Sequence, residues 1–555
     1  MRKLSKGLII AITLNSLLVA GVAYAAPDIP ASAYKDFAGQ DMMRIREGLE
    51  QYRVEKQISE DKERVSSKVE PKVNDIKEPE VAATFHLQKI TTDSSKVLTE
   101  AELGSVLDKY SNTEISVKGI FKAIKELNNL YAEKGYANCR AILEKQVIKD
   151  GIVKLTLLEA VTSDAKVINN RYTKPSYITK RLHLPQGEIA NINTLNEDLL
   201  HFNATNDVQL RVIMQPGSEP GSTEYVIQAY EPQQFNTTVF TDNAGSYNSG
   251  IYRLGTFFNV KSLTGERDAL SLGVMHSKGA DAFTTIYNRQ VGRSGTKLNL
   301  AYNTNSIDVN KGEGRGLIDG HSYAYTVSIN QPWIINSKIR SEVALEYNHQ
   351  KSTTTFMKST NLVDDTLDDV TASFSLINYG KSHWFYQKHG LVRGYHNNDR
   401  DYLGNESDNF GYYKFNGMYQ KAYKHGQAVN ARLDGQWSGG SQLPSARQFY
   451  IGGMSSVRGY KESLISGDSG YSVNLEYLVP LKDKKTSAFV FCDYGNIHGE
   501  HAFEDHVLQS VGFGFKSNPT KHIGAQFSFG FPLIKKVNTE DISKMRVHFM
   551  VSGQF

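Results

Sequence analysis

The segment IGAQFSFGFP, residues 523–532, decides the fold. Apolar residues alternate in it with glycine or polar ones: Ile523, Ala525, Phe527, Phe529 and Phe531 against Gly524, Gln526, Ser528 and Gly530. A period of two over about eight to ten residues indicates a β-strand with one apolar face and one small or polar face. This segment is therefore predicted to be a strand between an apolar and a wet environment.

The same alternation continues from Phe235 to the end of the chain. It predicts sixteen strands, which start near residues 235, 250, 268, 281, 296, 321, 337, 369, 383, 409, 427, 470, 487, 507, 522 and 545. A large soluble β-sandwich is the alternative, but the non-apolar faces are rich in Gly, Ser, Asn and Gln, as a water-filled lumen is. An even number of strands closes without an edge exposed to lipid. We predict a 16-stranded antiparallel transmembrane β-barrel over residues 233–555.

The connections between the strands indicate the orientation of the barrel. From the fifth strand on, segments predicted as long loops (308–320, 351–365 and 396–409) alternate with the short turns INS, GKS and YKHG. Bacterial barrels place long loops outside the cell and short turns in the periplasm. The connection at about 438–469 is then the sixth outer loop. The first four strands follow this pattern poorly.

Two small α+β modules precede the barrel, at residues 81–160 and 161–232. Each has the order strand, helix, helix, strand, strand. In the first, Thr99-x-x-Glu102 is a capping box, Gly135 fits a helix C-cap and Asp150-Gly151 is a hairpin signal. In the second, the segment 178–184 is predicted to be a helix. The match between the two modules predicts a tandem repeat.

The N-terminal region divides into three segments. Residues 1–25 have a basic start, an apolar stretch and an Ala-x-Ala site, so we predict a signal peptide and a mature chain that starts at Ala26 or Pro27. Residues 26–58 predict an amphipathic helix with an apolar face made of Met42, Ile45, Leu49 and Tyr52. Residues 59–80 are charged and contain prolines, which predicts a flexible linker.

Composition argues against several functions. A net charge of +4 does not predict nucleic-acid binding, and the two cysteines, Cys139 and Cys492, exclude a disulfide framework. The fifteen histidines are scattered, and the chain has no P-loop and no nucleophile–base pattern. We therefore expect no metal, no cofactor and no enzymatic activity.

The tetrapeptide VRGY occurs twice, at Val392–Tyr395 and at Val457–Tyr460. The first copy is predicted where the ninth strand runs into its outer loop, and nothing near it requires the motif. The second copy lies in the sixth outer loop, after Gly452-Gly453, where the backbone is free to turn sharply. We interpret the second copy as functional and the first as incidental.

Three motifs in this order resemble those of the outer-membrane transporters of two-partner secretion. They are the VRGY loop motif Val457, Arg458, Gly459 and Tyr460; the barrel-wall motif F-x-D-x-G at Phe491, Asp493 and Gly495; and the first-strand motif D-N-x-G-S at Asp242, Asn243, Gly245 and Ser246. The resemblance covers nearly the whole mature chain. It implies that the two modules are periplasmic POTRA (polypeptide-transport-associated) domains and that the N-terminal helix plugs the barrel. The alternative for that helix is a surface helix packed on the first module.

The resemblance also implies a function. The expected activity is export of a large secreted exoprotein, such as a cytolysin, an adhesin or a growth-inhibition toxin, across the outer membrane without ATP. Further expected partners are outer-membrane lipid and, during biogenesis, the barrel-assembly machinery. An insertase of the same superfamily is the alternative, although such relatives tend to carry more POTRA domains and lack the helix. A passive porin is less expected, because it needs neither the modules nor the motif.

The alternation in the thirteenth strand points Asp493 into the lumen and Cys492 outward, since a carboxylate facing lipid is costly. The resemblance implies that the sixth loop folds back so that Arg458 meets Asp493. Two separately solvated charges are the alternative. Loss of a shielded pair costs about 3–5 kcal/mol, and loss of a wet pair about 0–1 kcal/mol. In the last strand, Phe549 and the terminal Phe555 resemble the signal for barrel insertion.

Overall fold

The structure, a computed structural model, describes residues 36–46, 48, 69–71, 84–312, 314–400, 404–483, 485–499, 506–538 and 540–555. The predicted signal peptide and most of the predicted linker lie outside these residues. The chain divides into two compact units. One comprises Met1–Ser59, Gln233–Thr264 and Asp268–Phe555, and the other comprises Glu60–Pro232 and Gly265–Arg267.

The second unit contains the two α+β modules, each with its own apolar core between helices and sheet. The strands are β1 Glu70–Pro71, β2 Thr84–Leu87, β3 Lys89–Thr92, β4 Thr113–Ser116, β5 Cys139–Ile142, β6 Ile152–Glu159, β7 Val161–Ile168, β8 Gln209–Pro216 and β9 Ser222–Tyr230. The helices are Glu100–Leu107, Val117–Glu133, Pro175–Thr179 and Ile192–Thr205. The sheets have the order β3-β6-β5 in the first module and β1-β8-β9-β7 in the second, and β2 pairs with β4.

Local signals account for several boundaries in the modules. The predicted capping box is confirmed: the Thr99 hydroxyl accepts the backbone N–H of Glu102, whose carboxylate accepts the Thr99 N–H. The helix predicted at 178–184 is wrong in its bounds, because it runs over Pro175–Thr179. Proline is favoured in the first turn of a helix, which explains the earlier start. The predicted linker is not free throughout, because Glu70 and Pro71 pair in parallel with β8.

The first unit is a closed antiparallel barrel, and the prediction of sixteen strands is confirmed. Its strands are β10 Phe235–Asp242, β11 Arg253–Lys261, β12 Ala269–Ser277, β13 Ala280–Val291, β14 Thr296–Asp308, β15 Ile318–Ile335, β16 Ile339–Phe356, β17 Thr360–Tyr379, β18 His383–Arg400, β19 Gly404–Ala422, β20 Ala428–Trp437, β23 Ser469–Pro480, β24 Thr486–His498, β25 Val507–Thr520, β26 Ile523–Pro532 and β29 Arg546–Gln554. β10 pairs with β29 from Thr238–Gln554 to Asp242–Met550, which closes the sheet.

Side chains alternate between the two faces of the barrel wall. In β24, Phe491 and Asp493 are 5% and 1% exposed, whereas Val490, on the other face of the strand, is 57% exposed. The neighbouring Cys492 is exposed as well, as the parity predicts. The two parities of β24 thus face opposite sides of the barrel wall, with Phe491 and Asp493 inward and Val490 and Cys492 outward. No helix among the described residues has the length and apolarity needed to cross a membrane.

The long outer loops predicted at 351–365 and 396–409 are wrong. β16 continues to Phe356 and β17 starts at Thr360, while β18 ends at Arg400 and β19 starts at Gly404. The tight β16–β17 turn contains Met357 and Lys358 with φ of 50° and 58°. Polar composition there reflects strands that continue past the apolar band into water, where a β-ladder needs no apolar side chains.

The sixth outer loop, residues 438–468, connects β20 with β23 and has structure of its own. It contains a 3-10 turn at Ser445–Arg447 and a hairpin of β21 Phe449–Ile451 and β22 Ile465–Gly467. A second small hairpin, β27 Lys536–Val537 with β28 Glu540–Asp541, lies between β26 and β29.

Candidate functional site

The sixth loop packs against the inner wall of the barrel. Its apolar residues form one cluster with wall residues and the second hairpin: Ile451, Val457, Tyr460, Ile465, Ile497, Leu508 and Val537. Ile451 and Val457 lie directly over Gly495 of β24, where an added Cβ would come within 2.9 Å of either side chain. The glycine of the wall motif therefore permits the loop to approach the strand closely.

Two glycines turn the loop so that its VRGY motif faces the wall. Gly452 and Gly453 have φ of 112° and 101°, which side chains disfavour. The Gly453 N–H donates to the Val457 carbonyl at 3.0 Å. The Gly452 N–H donates to Ser456 Oγ at 2.8 Å. These bonds close a compact turn at the tip of the loop.

Arg458 and Asp493 form a buried, bidentate ion pair. Arg458 Nε and Nη2 donate to Asp493 Oδ2 and Oδ1, both at 2.8 Å. The backbone N–H of Arg458 donates to Oδ2 as well, at 3.0 Å. The two residues are only 4% and 1% exposed. The alternative of two separately solvated charges does not fit this geometry.

Further side chains complete the seat of the Arg458 guanidinium. Its Nη1 donates to the Glu476 carboxylate, which also accepts a hydrogen bond from Lys516 Nζ at 3.2 Å. Asn474 Nδ2 donates to the same aspartate carboxylate at 2.9 Å. The guanidinium lies 3.6 Å from the ring centroid of Phe491, the first residue of the wall motif. Hydrogen bonds, opposite charges and an aromatic face thus hold one cation.

The last two residues of the motif contact the neighbouring strands. The Gly459 N–H donates to His548 Nε2 of β29 at 3.0 Å, and an added Cβ on Gly459 would lie 3.0 Å from the carbonyl carbon of Gly530 in β26. The Tyr460 hydroxyl donates to the Gln509 carbonyl of β25 at 2.8 Å. The motif therefore spans β24, β25, β26 and β29, on the side where the barrel closes.

A buried carboxylate follows the motif in the loop. Glu462 Oε1 accepts the backbone N–H of Met454 at 2.7 Å. Burial raises the pKa of Glu462 to about 7, although nearby Arg44, Arg253 and Arg546 favour its charged form. Because burial and these cations oppose each other, the charge of Glu462 changes with pH near neutrality, and so does the stability of its contact with Met454.

The first-strand motif organises the start of the barrel. Asp242 is fully buried and accepts two hydrogen bonds from the guanidinium of Arg253, at 2.8 and 2.9 Å. An added Cβ on Gly245 would lie 1.9 Å from the Gly250 carbonyl oxygen, so this position requires glycine. The Ser246 carbonyl accepts the Gly250 N–H at 2.9 Å. The motif thus fixes the first outer turn.

Asn243 joins the first strand to the last. Its Nδ2 donates to the Val547 carbonyl at 2.7 Å, and its Oδ1 accepts the Phe549 N–H at 2.9 Å. The terminal Phe555 exchanges two backbone hydrogen bonds with Thr237, each 2.9 Å. The two aromatic residues proposed as an insertion signal therefore lie at the barrel seam.

The N-terminal helix, residues 37–46, lies within the barrel unit and contacts its polar inner face. Asp36 caps the helix by accepting the Gly39 N–H at 2.8 Å. Asn305 Nδ2 of β14 donates to the Ala38 carbonyl at 3.0 Å. Arg46 Nη1 donates to Asn348 Oδ1 of β16 at 3.2 Å. Met42 is buried and Ile45 half-buried, while Leu49 and Tyr52 lie outside the described residues.

The sequence analysis missed a second buried arginine in the sixth loop. Arg447, 2% exposed, donates from Nη2 to Asp369 Oδ2 of β17 at 2.7 Å and from Nη1 to Gln350 Oε1 of β16 at 2.8 Å. The adjacent Ser445 Oγ accepts the backbone N–H of Asp36 at 3.3 Å. The loop is therefore anchored to two separate parts of the wall, and one anchor also contacts the start of the N-terminal helix.

A sequence signal for this second anchor exists in β17. Asp365 and Asp369 have the inward parity, as Asp493 has in β24, and each needs a partner in the lumen. Arg447 itself belongs to none of the three motifs. Within the described residues, no group of three or more His, Cys, Asp or Glu side chains is arranged to hold a metal ion.

The first VRGY copy has a different environment from the second. Arg393 pairs with Val370 and Gly411 inside the barrel sheet, so the predicted position at the end of a strand is wrong. Its side chain is exposed on the outer face of β18. Val392 and Gly394 have the inward parity, and Val392 packs against Leu443 and Ala446 of the sixth loop. The continuous β18 ladder accounts for the difference, because the strand extends to Arg400.

Comparisons with known proteins follow the same division of the chain. A family model described as haemolysin secretion/activation protein ShlB/FhaC/HecB matches residues 221–517, and one described as POTRA domain, ShlB-type, matches residues 85–160. The heme/hemopexin transporter protein HuxB of Haemophilus influenzae is 23% identical over 480 residues, which cover 82% of this chain and 84% of HuxB. The outer membrane transporter CdiB of Dickeya dadantii is 21% identical over 409 residues, with 70% and 71% covered.

Solved structures agree on the fold. CdiB from Escherichia coli matches 94% of this chain and 99% of its own with a TM-score of 0.66 at 16% identity. CdiB from Acinetobacter baumannii matches with a TM-score of 0.63 at 15% identity. The family models and the relatives that are outer membrane transporters locate the barrel in the outer membrane and the POTRA modules in the periplasm. The chain belongs to the haemolysin secretion/activation family ShlB/FhaC/HecB, the outer-membrane transporters of two-partner secretion.

Proposed function

We propose that the chain exports one large, unfolded partner protein across the outer membrane and that its sixth loop controls the pore. One observation carries the proposal: the lumen holds two segments of the chain itself, the N-terminal helix and the sixth loop, each bonded to the wall by side chains. A passive porin needs neither segment. A transporter that must stay closed at rest needs both.

The chemistry of the Arg458 seat suits a part that moves. Its contacts are ion pairs and hydrogen bonds. The polar groups of the seat, such as Glu476 and Asn474, can form hydrogen bonds with water when the loop leaves. The desolvation of buried charges offsets much of their attraction, so such a seat specifies one position without great net stability. An apolar interface of the same size would bind the loop more permanently.

The POTRA modules are the proposed capture site for the partner. Extended peptides bind to sheet edges and to grooves between helix and strand, where main-chain hydrogen bonds supply affinity. Both modules have sheet edges and helix–strand grooves, and both lie in the periplasm. HuxB is a heme/hemopexin transporter protein and CdiB an outer membrane transporter, which supports export here and gives no support to catalysis.

Energy for export comes, in this proposal, from the partner. The sequence has no P-loop, and we propose that folding of the partner outside the cell makes its passage directional. In this proposal outer-membrane lipid surrounds the barrel and the barrel-assembly machinery inserts it. The position of Phe555 at the barrel seam is compatible with a role as insertion signal. An insertase is the second candidate, but no described feature favours it.

The test is export of the product of the neighbouring gene by purified chain in proteoliposomes without ATP. We expect the partner to become accessible to protease on the far side of the membrane only when it is presented unfolded on the POTRA side. If the partner does not become accessible to the protease on the far side while ion conductance is intact, the result would argue for a porin. Insertion of an unrelated barrel protein instead would argue for an insertase.

A further inference from the structure

A groove with a volume of about 470 Å³ crosses the outward face of the barrel on strands β11 to β15. Two rows of outward side chains line it, and the members of each row are direct neighbours across the strands. One row is Leu254, His276, Asp281, Ser306 and His321, and the other is Thr256, Val274, Phe283 and Thr304. The strand positions between the rows, such as Gly255 and Ala282, have the inward parity. The backbone of the sheet therefore forms the floor of the groove.

The first row is polar and lies at the outer rim of the wall. The chain enters the barrel from the periplasmic modules at β10, so β12 runs towards the outside of the cell. Because β12 ends at Ser277 and β13 starts at Ala280, His276 and Asp281 are the last outward positions before an outer turn. His276 Nδ1 lies 2.6 Å from Asp281 Oδ1, and the two side chains are 70% and 69% exposed. This row thus lies at the level of lipid headgroups.

The second row lies at the upper edge of the apolar band. Val274 and Phe283 are 55% and 39% exposed on the outward face, and the smaller Thr304 beside Phe283 leaves room between them. One step further into the membrane, Tyr302 and Tyr325 pair with ring centroids 5.1 Å apart. Aromatic residues of this kind mark the interface of a transmembrane barrel. The groove therefore offers polar contacts on its outer side and apolar contacts on its membrane side.

The polar row suits a headgroup with hydroxyl groups. The Asp281 carboxylate only accepts hydrogen bonds and repels a bare phosphate, whereas His276, His321 and Ser306 can both donate and accept. A sugar offers donors and acceptors on one rigid ring, so it can satisfy all four side chains. Lys278 lies exposed in the outer turn, two residues after His276, where it can pair with a phosphate carried by such a sugar.

We propose that this groove binds a glycolipid of the outer leaflet. The sugar lies on the row of His276 and Asp281, and the start of one acyl chain lies over Val274 and Phe283. The position of the groove determines the occupant, because an outward groove at this level of an outer-membrane barrel faces lipid. The proposal depends on the place of the barrel in the membrane and is independent of export of a partner protein.

The first experiment measures binding of lipid A, an acylated and phosphorylated disaccharide of glucosamine, to the full-length chain by native mass spectrometry. A detergent without a sugar headgroup is used, so that it does not compete. We expect Thr304→Phe to weaken binding by at least about tenfold, because the added ring fills the groove. Val511→Phe, at an outward position of β25, is the matched control and should bind as the wild type does. Equal affinity of Thr304→Phe and wild type would overturn the proposal.

A second variant tests the assignment of the sugar to the polar row. His276→Ala should weaken binding of lipid A by about tenfold, the size expected for losing one to two hydrogen bonds. Binding of phosphatidylethanolamine, which has no sugar, should not change. An unchanged affinity for lipid A, or an equal loss for both lipids, would overturn the assignment.

Photocrosslinking covers the case in which Thr304→Phe does not fold. A photoreactive phenylalanine derivative replaces Phe283 or, as the control, Val511, and lipid A is supplied in an amount equal to that of the chain. We expect adducts with lipid A to be several-fold more abundant at Phe283 than at Val511. Equal amounts of adduct at the two positions would indicate unspecific contact with lipid and would overturn the proposal.

Discussion

Replacing Arg458 with alanine is the perturbation whose size the structure determines best. The change removes two side-chain hydrogen bonds to Asp493, from Nε and Nη2, and one to Glu476, from Nη1. The hydrogen bond from the backbone N–H to Asp493 remains. It leaves Asp493, 1% exposed, without its counter-ion. Breaking a buried pair in this way costs about 3–5 kcal/mol. We expect that loss in the free energy that holds the sixth loop.

Cysteine labelling under native conditions measures this free energy directly. Val457 is 0% exposed when the loop is seated, so a cysteine there reacts only when the loop opens. The protein is purified into lipid nanodiscs in a Cys492→Ser background, since Cys492 is exposed. A loss of 3–5 kcal/mol corresponds to a rise in labelling rate of roughly 10² to several 10³.

The matched control is Arg393→Ala in the first VRGY copy, where the side chain is exposed and the labelling rate should not change. Arg458→Lys keeps the charge without the bidentate geometry and should fall between wild type and Arg458→Ala. Asp493→Asn should couple with Arg458→Ala, so that the double change costs less than the sum of the two. A rise of less than about tenfold for Arg458→Ala would mean a solvated pair and would refute a buried seat for the Arg458 guanidinium.

Three other predictions concern the loop and the helix. Arg447→Ala should expose a cysteine placed at Ala446, now 1% exposed, at least about a hundredfold faster, and unchanged labelling would contradict a second anchor. The pKa of Glu462 is raised from 4.5 to about 7 in the seated loop. The stability that protonated Glu462 gives the seated loop is therefore complete below about pH 4.5 and lost as the pH rises to about 7. Labelling at Val457, normalised to an exposed cysteine, should rise over that range and level off above it, and Glu462→Gln should abolish the rise. Deleting residues 27–57 should raise ion conductance in planar bilayers, and wild-type conductance would argue against a plug.

The barrel was predictable from the alternation of side chains, with a period of two, along its strands. A strand between lipid and water must alternate, and residues 523–532 do so without exception. The parity of β24 likewise fixes the inward direction of Asp493 before any partner is known. What composition does not reveal is where a strand stops, because a ladder in water accepts polar side chains. The segments 351–365 and 396–409 look like loops for that reason.

The contacts of the loop were only partly predictable. Arg458 is recognisable through its motif, but Arg447 lies in a segment without one, and its partner Asp369 is distant in sequence. The linker strand was missed for a related reason. Glu70 and Pro71 are too few to show the alternation of a strand, and they pair only because the edge of β8 lies beside them in the folded module. Such non-local contacts depend on the assembled fold.

Secretion of the partner by intact cells tests the central claim most directly. A strain that has this chain as its only transporter is compared with strains that carry Arg458→Ala or Arg393→Ala, at equal amounts of inserted barrel. The account predicts that wild type and Arg393→Ala release the partner equally and that Arg458→Ala releases little. Full release by Arg458→Ala would contradict it, because the loop seat would then have no part in export.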